Sequence, residues 1–499
     1  MKLRFFSLAI GILSLLAGGS AAVGVQPKTV MVHYMPWFVS QPFSGSWGWH
    51  WTMNHFNPNL TNSTNGEQEI ASWYYPLIGP YDSADPAVLE YHVLLMKLAG
   101  IDGVIVDWYG MDNFNDYAVN NTRTLDLFNY TRKAGLAFSL CYEDATIQTE
   151  ITGGFITASN AIPHARQTML YAQTNFFNDP SYLRLKTSPV LLDFGPQYFC
   201  SSAAWVSNFS VLAASNQPSF FTESRRVSPV GAGAFDWPPM WLSKTNSQRP
   251  SEPVLSSAAL ASYLDGYGQT AKSWPAFISS AFPRFHDIYA QAGVEPSFGY
   301  LDDQDGDTFQ QTLSQAMTNN STYVQVATWN DFGEGTIVEP TAQYGYRDLA
   351  VIQNFRRKYV DPTFPFQSND LLLPLQLYKL RKQYGDSNPA ISAEMDRIFT
   401  NIVSSNLTAA AQELSGLQNS SLVIYNASAT PGQLQFSVGG FLTGAALQVE
   451  SSPSLAADGW TTVTNLPAGA NLPFFSAAIP PGCPTTFFQV RSSAPYNSQ

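Results

Sequence analysis

The sequence predicts an α/β chain, a (β/α)8 TIM barrel carrying a helical extension and a small C-terminal all-β sandwich domain. Three observations predict it. Short apolar runs alternate with amphipathic helical segments along the first two thirds of the chain, the signature of βα units around a parallel sheet. The pattern then turns to helices alone, and finally to short alternating segments set off by Gly, Pro, Asn and Ser. The 499 residues are 45% hydrophobic and only 12% charged, enough apolar material for a large core, which excludes a disordered or fibrous protein. The implied division is 1–22 signal peptide, 23–360 barrel, 361–418 helical extension packed on the barrel and 419–499 β-sandwich accessory domain.

The elements follow in order. Lys2 and Arg4, an apolar run over 5–17 and the small residues Ser20, Ala21 and Ala22 form the three parts of a secretory signal. The mature chain is therefore expected to be secreted, or periplasmic in a bacterium; a retained N-terminal anchor is the alternative. A first strand over 29–34 leads into a long excursion rich in Trp and Tyr, including Trp47, Trp49, Trp51, Trp73, Tyr74 and Tyr75, that is too apolar for a plain solvent loop and is expected to fold over the barrel mouth. The clearest unit is 82–108, where Asp85 caps a helix, Pro86 fits its first turn, Gly100 stops it, and 103–107 reads as a buried strand ending in a carboxylate. A helix near 122–133 and a strand over 137–142 repeat the rhythm, and a helix near 161–176 precedes a strand over 189–193. Further strands are expected over 219–222, 276–280, 297–301 and 323–329, which makes eight. A doubly wound open sheet is the alternative, but no glycine-rich phosphate fingerprint follows any strand.

After 347–359 come helices over 370–384, 390–403 and 407–417, then alternating segments near 422–425, 434–438, 446–451, 461–464 and 486–491 that read as the sandwich.

A formal charge of −12 repels phosphate backbones, so nucleic acid is not an expected partner, and no membrane span is expected in the mature chain. Cys141, Cys200 and Cys483 are too few for a disulfide framework; Cys141 reads as a buried small hydrophobe, with a Cys141–Cys200 bridge left open. No Ser or Cys nucleophile with a placed His, and no zinc signature, points to a protein hydrolase.

Catalytic side chains of a parallel barrel come from the C-terminal ends of its strands. Position alone nominates His33 and Tyr34, Asp107 and Trp108, Tyr142 and Glu143, Asp193, Asp302 and Asp303, and then Asn330, Asp331 and Glu334. Carboxylates with aromatics suit a sugar site, where rings stack on pyranose faces and carboxyls handle protons around a glycosidic bond. His50 or His55 of the excursion could hydrogen-bond such a substrate, and Trp108-Tyr109 and Asp236-Trp237 are second-tier pairs. No cofactor is expected, and no metal: Asp302, Asp303, Asp305 and Asp307 lack full calcium-loop spacing.

The sharpest segment runs Thr328-Trp329-Asn330-Asp331-Phe332-Gly333-Glu334-Gly335-Thr336-Ile337-Val338-Glu339-Pro340. It resembles the Trp/Phe-Asn-Glu-Trp-His-Glu-Gly-Thr-x-x-Glu-Pro signature of glycoside hydrolase family 99, the endo-α-mannosidases and endo-α-mannanases, within a broader 71/99-like group that includes α-1,3-glucanases. Val32-His33-Tyr34-Met35-Pro36-Trp37 resembles the family's opening strand, 101–109 its second, and 138–143 a later strand that ends in Glu. The resemblance implies that Glu334 is the general acid/base. It implies that Asp331 deprotonates the sugar 2-hydroxyl, which attacks C1 to form a 1,2-anhydro sugar that water opens with overall retention. The expected substrate contacts are His33, Tyr34, Trp37, His50, Asp107, Trp108, Tyr142, Glu143, Trp329 and Asn330. Asp331, Phe332 and Gly333 stand where the signature has Glu, Trp and His, which bears on linkage and subsite preference.

The expected function is a secreted glycoside hydrolase that cleaves internal α-glycosidic bonds of a mannose-containing glycan or α-mannan. The alternatives are an α-1,3-glucanase and a non-catalytic carbohydrate-binding protein on a degenerate barrel. Glu339 beside Pro340 reads as a loop anchor rather than a catalytic group.

Overall fold

The computed structural model describes residues 28–250, 252–385 and 389–419, and beyond them 423–430, 433–439, 447–452, 460–466, 475–478 and 487–492. The expected signal segment and Cys483 lie outside the described residues.

Eight parallel strands close a barrel: β1 (Thr29–Tyr34), β2 (Gly103–Trp108), β3 (Ala137–Tyr142), β4 (Ser188–Asp193), β5 (Ser219–Glu223), β6 (Gly233–Phe235), β7 (Ile278–Ala281) and β8 (Tyr323–Val326). Each pairs with the next in chain order, and β8 returns to β1, with Thr29 opposite Tyr323. Closure leaves no barrel edge with unpaired backbone groups.

Alternation along the strands sorts their side chains. Met31, Ile105, Cys141, Leu192, Phe221, Phe235 and Ile278 fill the barrel interior. Val30, Val32, Val104, Val106, Leu140, Val324 and Val326 point outward into the layer between strands and helices.

The surrounding helices are α1 (Pro86–Ala99), α2 (Tyr117–Ala134), α3 (Ala145–Thr152), α4 (Ala161–Ala172), α5 (Ser202–Phe209), α6 (Ser257–Ala271), α7 (Asp307–Thr318) and α8 (Arg347–Tyr359). The start of α1 follows the sequence closely: the Asp85 carboxylate accepts the Ala87 N–H, Pro86 occupies the first turn, and Gly100 ends the helix with φ of 84°.

Helices α9 (Leu373–Tyr384), α10 (Pro389–Val403) and α11 (Leu407–Asn419) follow. Ile391, Met395, Ile398 and Ile402 recur at helical spacing and bury one face of α10. Arg381 of α9 forks onto both oxygens of Glu90 in α1, at 3.2 and 3.0 Å, and Lys382 meets Asp85 at 2.8 Å. Among the described residues no helix is long and apolar enough to cross a membrane. Farther on, Val423–Thr430, Gln433–Gly439 and Phe475–Ala478 form one antiparallel sheet, and Leu447–Ser452, Thr461–Leu466 and Phe487–Ser492 form another.

Two expectations are corrected. Segment 297–301 is not a barrel strand: only Tyr300–Leu301 is extended, and it pairs antiparallel with Phe285–His286 outside the barrel. Asp302 and Asp303 consequently follow no barrel strand, and Asp303 is tied to Arg347 at 2.6 Å. The strand that completes the barrel is β6, only three residues long. Cys141 is buried and Cys200 exposed, and both are free thiols, so the bridge left open from sequence is not formed.

Glycine is required in β6 because a Cβ on Gly233 would lie 1.9 Å from the Ala276 carbonyl oxygen. Gly233→Ala is therefore expected to destabilise the barrel by at least about 1–3 kcal/mol, measured as a lower denaturation midpoint at unchanged slope.

Candidate active site

The inward alternation of the strands continues past their ends and builds the site. His33 on β1, Asp107 on β2 and Glu143 just after β3 face the same way as Met31, Ile105 and Cys141 below them. Phe194 after β4 and Trp237 after β6 follow the same parity. With Tyr109, Tyr289, Asp331 and Glu334 they line a cavity of about 220 Å³ at the C-terminal mouth of the barrel. The long excursion after β1 closes one side: Trp37 stacks on His50 with ring centroids 4.2 Å apart, and Trp49 lines the cavity while 41% exposed. Trp51 is fully buried against Phe38, Tyr81 and Phe332 and anchors the excursion rather than lining the cavity.

The loop after β8 is held from several directions. The Trp329 N–H donates to the His33 carbonyl at 2.6 Å, which ties the loop to β1. The Asp331 N–H donates to the Thr328 hydroxyl at 2.8 Å, and the Glu334 N–H donates to the Asp331 carboxylate at 3.0 Å. Gly335, with φ of 69°, passes so close to Tyr74 that a Cβ there would sit 2.7 Å from its ring. Asn330 faces away from the cavity: its carbonyl oxygen accepts the Met35 N–H and its amide donates to the Met35 carbonyl and the Tyr81 hydroxyl. The Tyr81 hydroxyl donates to Glu339, whose other oxygen lies 3.2 Å from His92 Nε2. Glu339 is thus spent on holding the loop.

Burial sets the protonation states. Removing water raises Asp331 to about 6, and the backbone N–H groups of Glu334 and Gly333 keep it from rising further. Glu334 is pushed well above the ordinary carboxyl range, first by burial and then by the neighbouring Asp331 charge. Glu143 rises to about 8 and Asp107 well above its usual value, again by burial first and then by carboxylate neighbours. Burial lowers both His33 and His50 to about 3, so both rings are neutral at ordinary pH. Near neutrality Asp331 is ionised and Glu334 keeps its proton, a base and an acid three residues apart.

Of the residues nominated from sequence, the structure brings His33, Trp37, His50, Asp107, Glu143, Asp331 and Glu334 together around the cavity. It does not bring Tyr34, Trp108, Tyr142, Trp329 or Asn330 there. Tyr34, Trp108 and Tyr142 have the outward parity of their strands and are buried against the helices, where Tyr34 meets His92 at 3.0 Å and Trp108 donates to Asn121 at 3.0 Å. Trp329 is buried in that same outer layer. Phe194 and Tyr289 were not singled out from sequence, and Tyr109 and Trp237 only in a second rank; the signal for Tyr109, Phe194 and Trp237 was strand alternation carried one or two residues past the strand.

Residues 26–216 match the family described as Glycosyl hydrolase family 99. The chain is 21% identical over 347 residues to glycoprotein endo-alpha-1,2-mannosidase of Mus musculus, covering 63% of this chain and 68% of the mouse protein. It is 33% identical over 88 residues to the glycoprotein endo-alpha-1,2-mannosidase-like protein of Danio rerio, covering 16% of this chain and 20% of the fish protein. The chain is a glycoside hydrolase, similar to family 99 over residues 26–216. Among solved structures, the family 99 endo-alpha-mannosidase of Bacteroides thetaiotaomicron aligns with a TM-score of 0.48 at 17% identity, covering 67% of this chain and 98% of the bacterial one. The family match of this glycoside hydrolase spans His33, Trp37, His50, Asp107 and Glu143, while Asp331 and Glu334 lie beyond it.

The buried carboxyls of this hydrolase also carry a stability cost. Glu143, raised from 4.5 to about 8, binds more protons folded than unfolded between those values, so its contribution to stability falls as pH rises through that window. Glu143→Gln is expected to stabilise the chain by on the order of a few kcal/mol at pH 8 and little at pH 4, as measured by thermal melting at both.

Proposed function

We propose that this glycoside hydrolase cleaves internal α-linkages of a mannose-containing glycan or α-mannan with retention, through participation of the sugar 2-hydroxyl. The observation that carries the reading is the Asp331/Glu334 pair, in which burial leaves the acid protonated at a pH where the base is ionised. In the first step the Asp331 carboxylate takes the 2-hydroxyl proton, O2 attacks C1, the glycosidic bond breaks, and Glu334 gives its proton to the leaving oxygen. In the second the Glu334 carboxylate takes a proton from water, the oxygen of that water attacks C1, the C1–O2 bond of the anhydro sugar opens, and Asp331 returns the proton to O2. Two inversions at C1 leave the configuration retained.

Asp107 and Glu143, mostly protonated near neutrality, offer O–H donors to sugar hydroxyls, and the neutral His33 and His50 offer one donor and one acceptor each. Trp37, Trp49, Tyr109 and Trp237 supply flat apolar walls for the ring faces. The N-terminal segment 1–22 as an export signal, and the two C-terminal sheets as the halves of an accessory sandwich, complete the reading of a secreted enzyme.

Reducing-end release from α-mannan, with α-1,3-glucan in parallel, tests the assignment. Glu334→Gln is expected to lower kcat by about 10²–10⁴-fold at unchanged folding. A substrate whose scissile mannosyl unit lacks the 2-hydroxyl is expected to resist cleavage, and its turnover at the normal rate would refute 2-hydroxyl participation. Cleavage of the glucan alone would move the protein to the glucanases, and no release from either would favour a binding role. Because Asp331 must be ionised, kcat/KM is expected to rise with pH through about 6 rather than near 4, and to fall only at higher pH where Glu334 loses its proton.

A further inference from the structure

On the rim of the barrel, away from the cavity, three ligand-type side chains converge. Asp112 lies in the loop after β2, Glu150 on α3 and His164 on α4. His164 Nε2 is 3.0 Å from Asp112 Oδ2 and 3.2 Å from Glu150 Oε2, and the three atoms all lie within 4.8 Å of one another.

An ion pair alone accounts poorly for this arrangement. One imidazole nitrogen carries at most one proton, and the hydrogen bond it makes goes to Asp112. Glu150 is 1% exposed, and its Oε2, 3.2 Å from the same nitrogen, has to share that one proton with Asp112. A buried carboxylate oxygen that only shares a donor is poorly served, whereas a cation at the point of convergence would serve all three atoms at once. The spacing suits such an ion: tetrahedral zinc with bonds of about 2.0–2.1 Å to nitrogen and oxygen holds its donor atoms roughly 3.3 Å apart. Asp112 and His164 keep 15% and 11% of their side chains accessible, so water can complete the shell from one side.

We propose that Asp112, Glu150 and His164 form a binding site for one divalent transition-metal ion of zinc's size and ligand preference. The site would act as a clamp. It joins the loop that follows Asp107 and Tyr109 to the helix that follows Glu143, and so braces two walls of the cavity without touching substrate. Phe155 packs edge-on to the His164 ring and lies 5.4 Å from Phe114.

The test uses the full chain stripped with EDTA, titrated with zinc chloride and separately with magnesium chloride, followed by desalting and metal analysis. The expected result is one zinc retained per chain with a raised melting temperature, and no such effect of magnesium. His164→Ala and the partly exposed Asp112→Asn are each expected to lose that zinc while their circular dichroism stays native. Cys141→Ser should retain it, which separates this site from the His33, Asp107 and Cys141 group deep in the barrel. Failure of the wild-type chain to retain zinc would overturn the proposal. So would full retention by both rim variants, or loss in the Cys141 variant alone.

Discussion

Four carboxyl groups held in one water-poor cavity set the terms for the rest of the molecule. Asp107, Glu143, Asp331 and Glu334 repel one another when ionised, and burial penalises each charge separately. Such a group of side chains stays together only if the frame around it is closed and stiff. The continuous barrel ladder and the apolar layers on both of its faces provide that frame.

The loop that carries Asp331 and Glu334 is fixed by polar groups placed underneath it. Asn330, Tyr81, Glu339, His92 and Tyr34 form a buried chain of hydrogen bonds and close contacts linking that loop to β1, the excursion and α1. On the far side Arg284 donates to the Ile337 carbonyl at 2.7 Å and pairs with Asp348 of α8. Buried pairs of this kind add little net stability, since desolvation offsets their attraction, but breaking one leaves an unpaired charge inside. Their effect is on position: they hold the site where small displacements would matter to proton transfer.

The legible parts of the fold were those with strong local chemistry. Asp85, Pro86 and Gly100 mark the boundaries of α1 by capping alone, and the uninterrupted apolar run 103–106 can only be a buried strand. The missed strand had neither kind of signal. Gly233-Ala234-Phe235 is short and carries glycine because the Ala276 backbone passes against it, a requirement visible only once both strands are placed. Segment 297–301 looked comparable, but it follows an insertion that pairs its last two residues with Phe285–His286 instead.

The sequence by itself determined the barrel class and, through the signature around Asp331 and Glu334, the chemistry to look for, because strand alternation, helix caps and a dense run of carboxylates are local properties. Only the tertiary structure decided which aromatic and polar neighbours share the site. Tyr34, Trp108 and Tyr142 sit one residue from His33, Asp107 and Glu143, and a step of one along a strand turns a side chain from the cavity to the helices. Tyr289 comes from an insertion, and the convergence of Asp112, Glu150 and His164 joins three separate elements. Contacts of that kind depend on how distant segments pack, and no spacing within one segment records them.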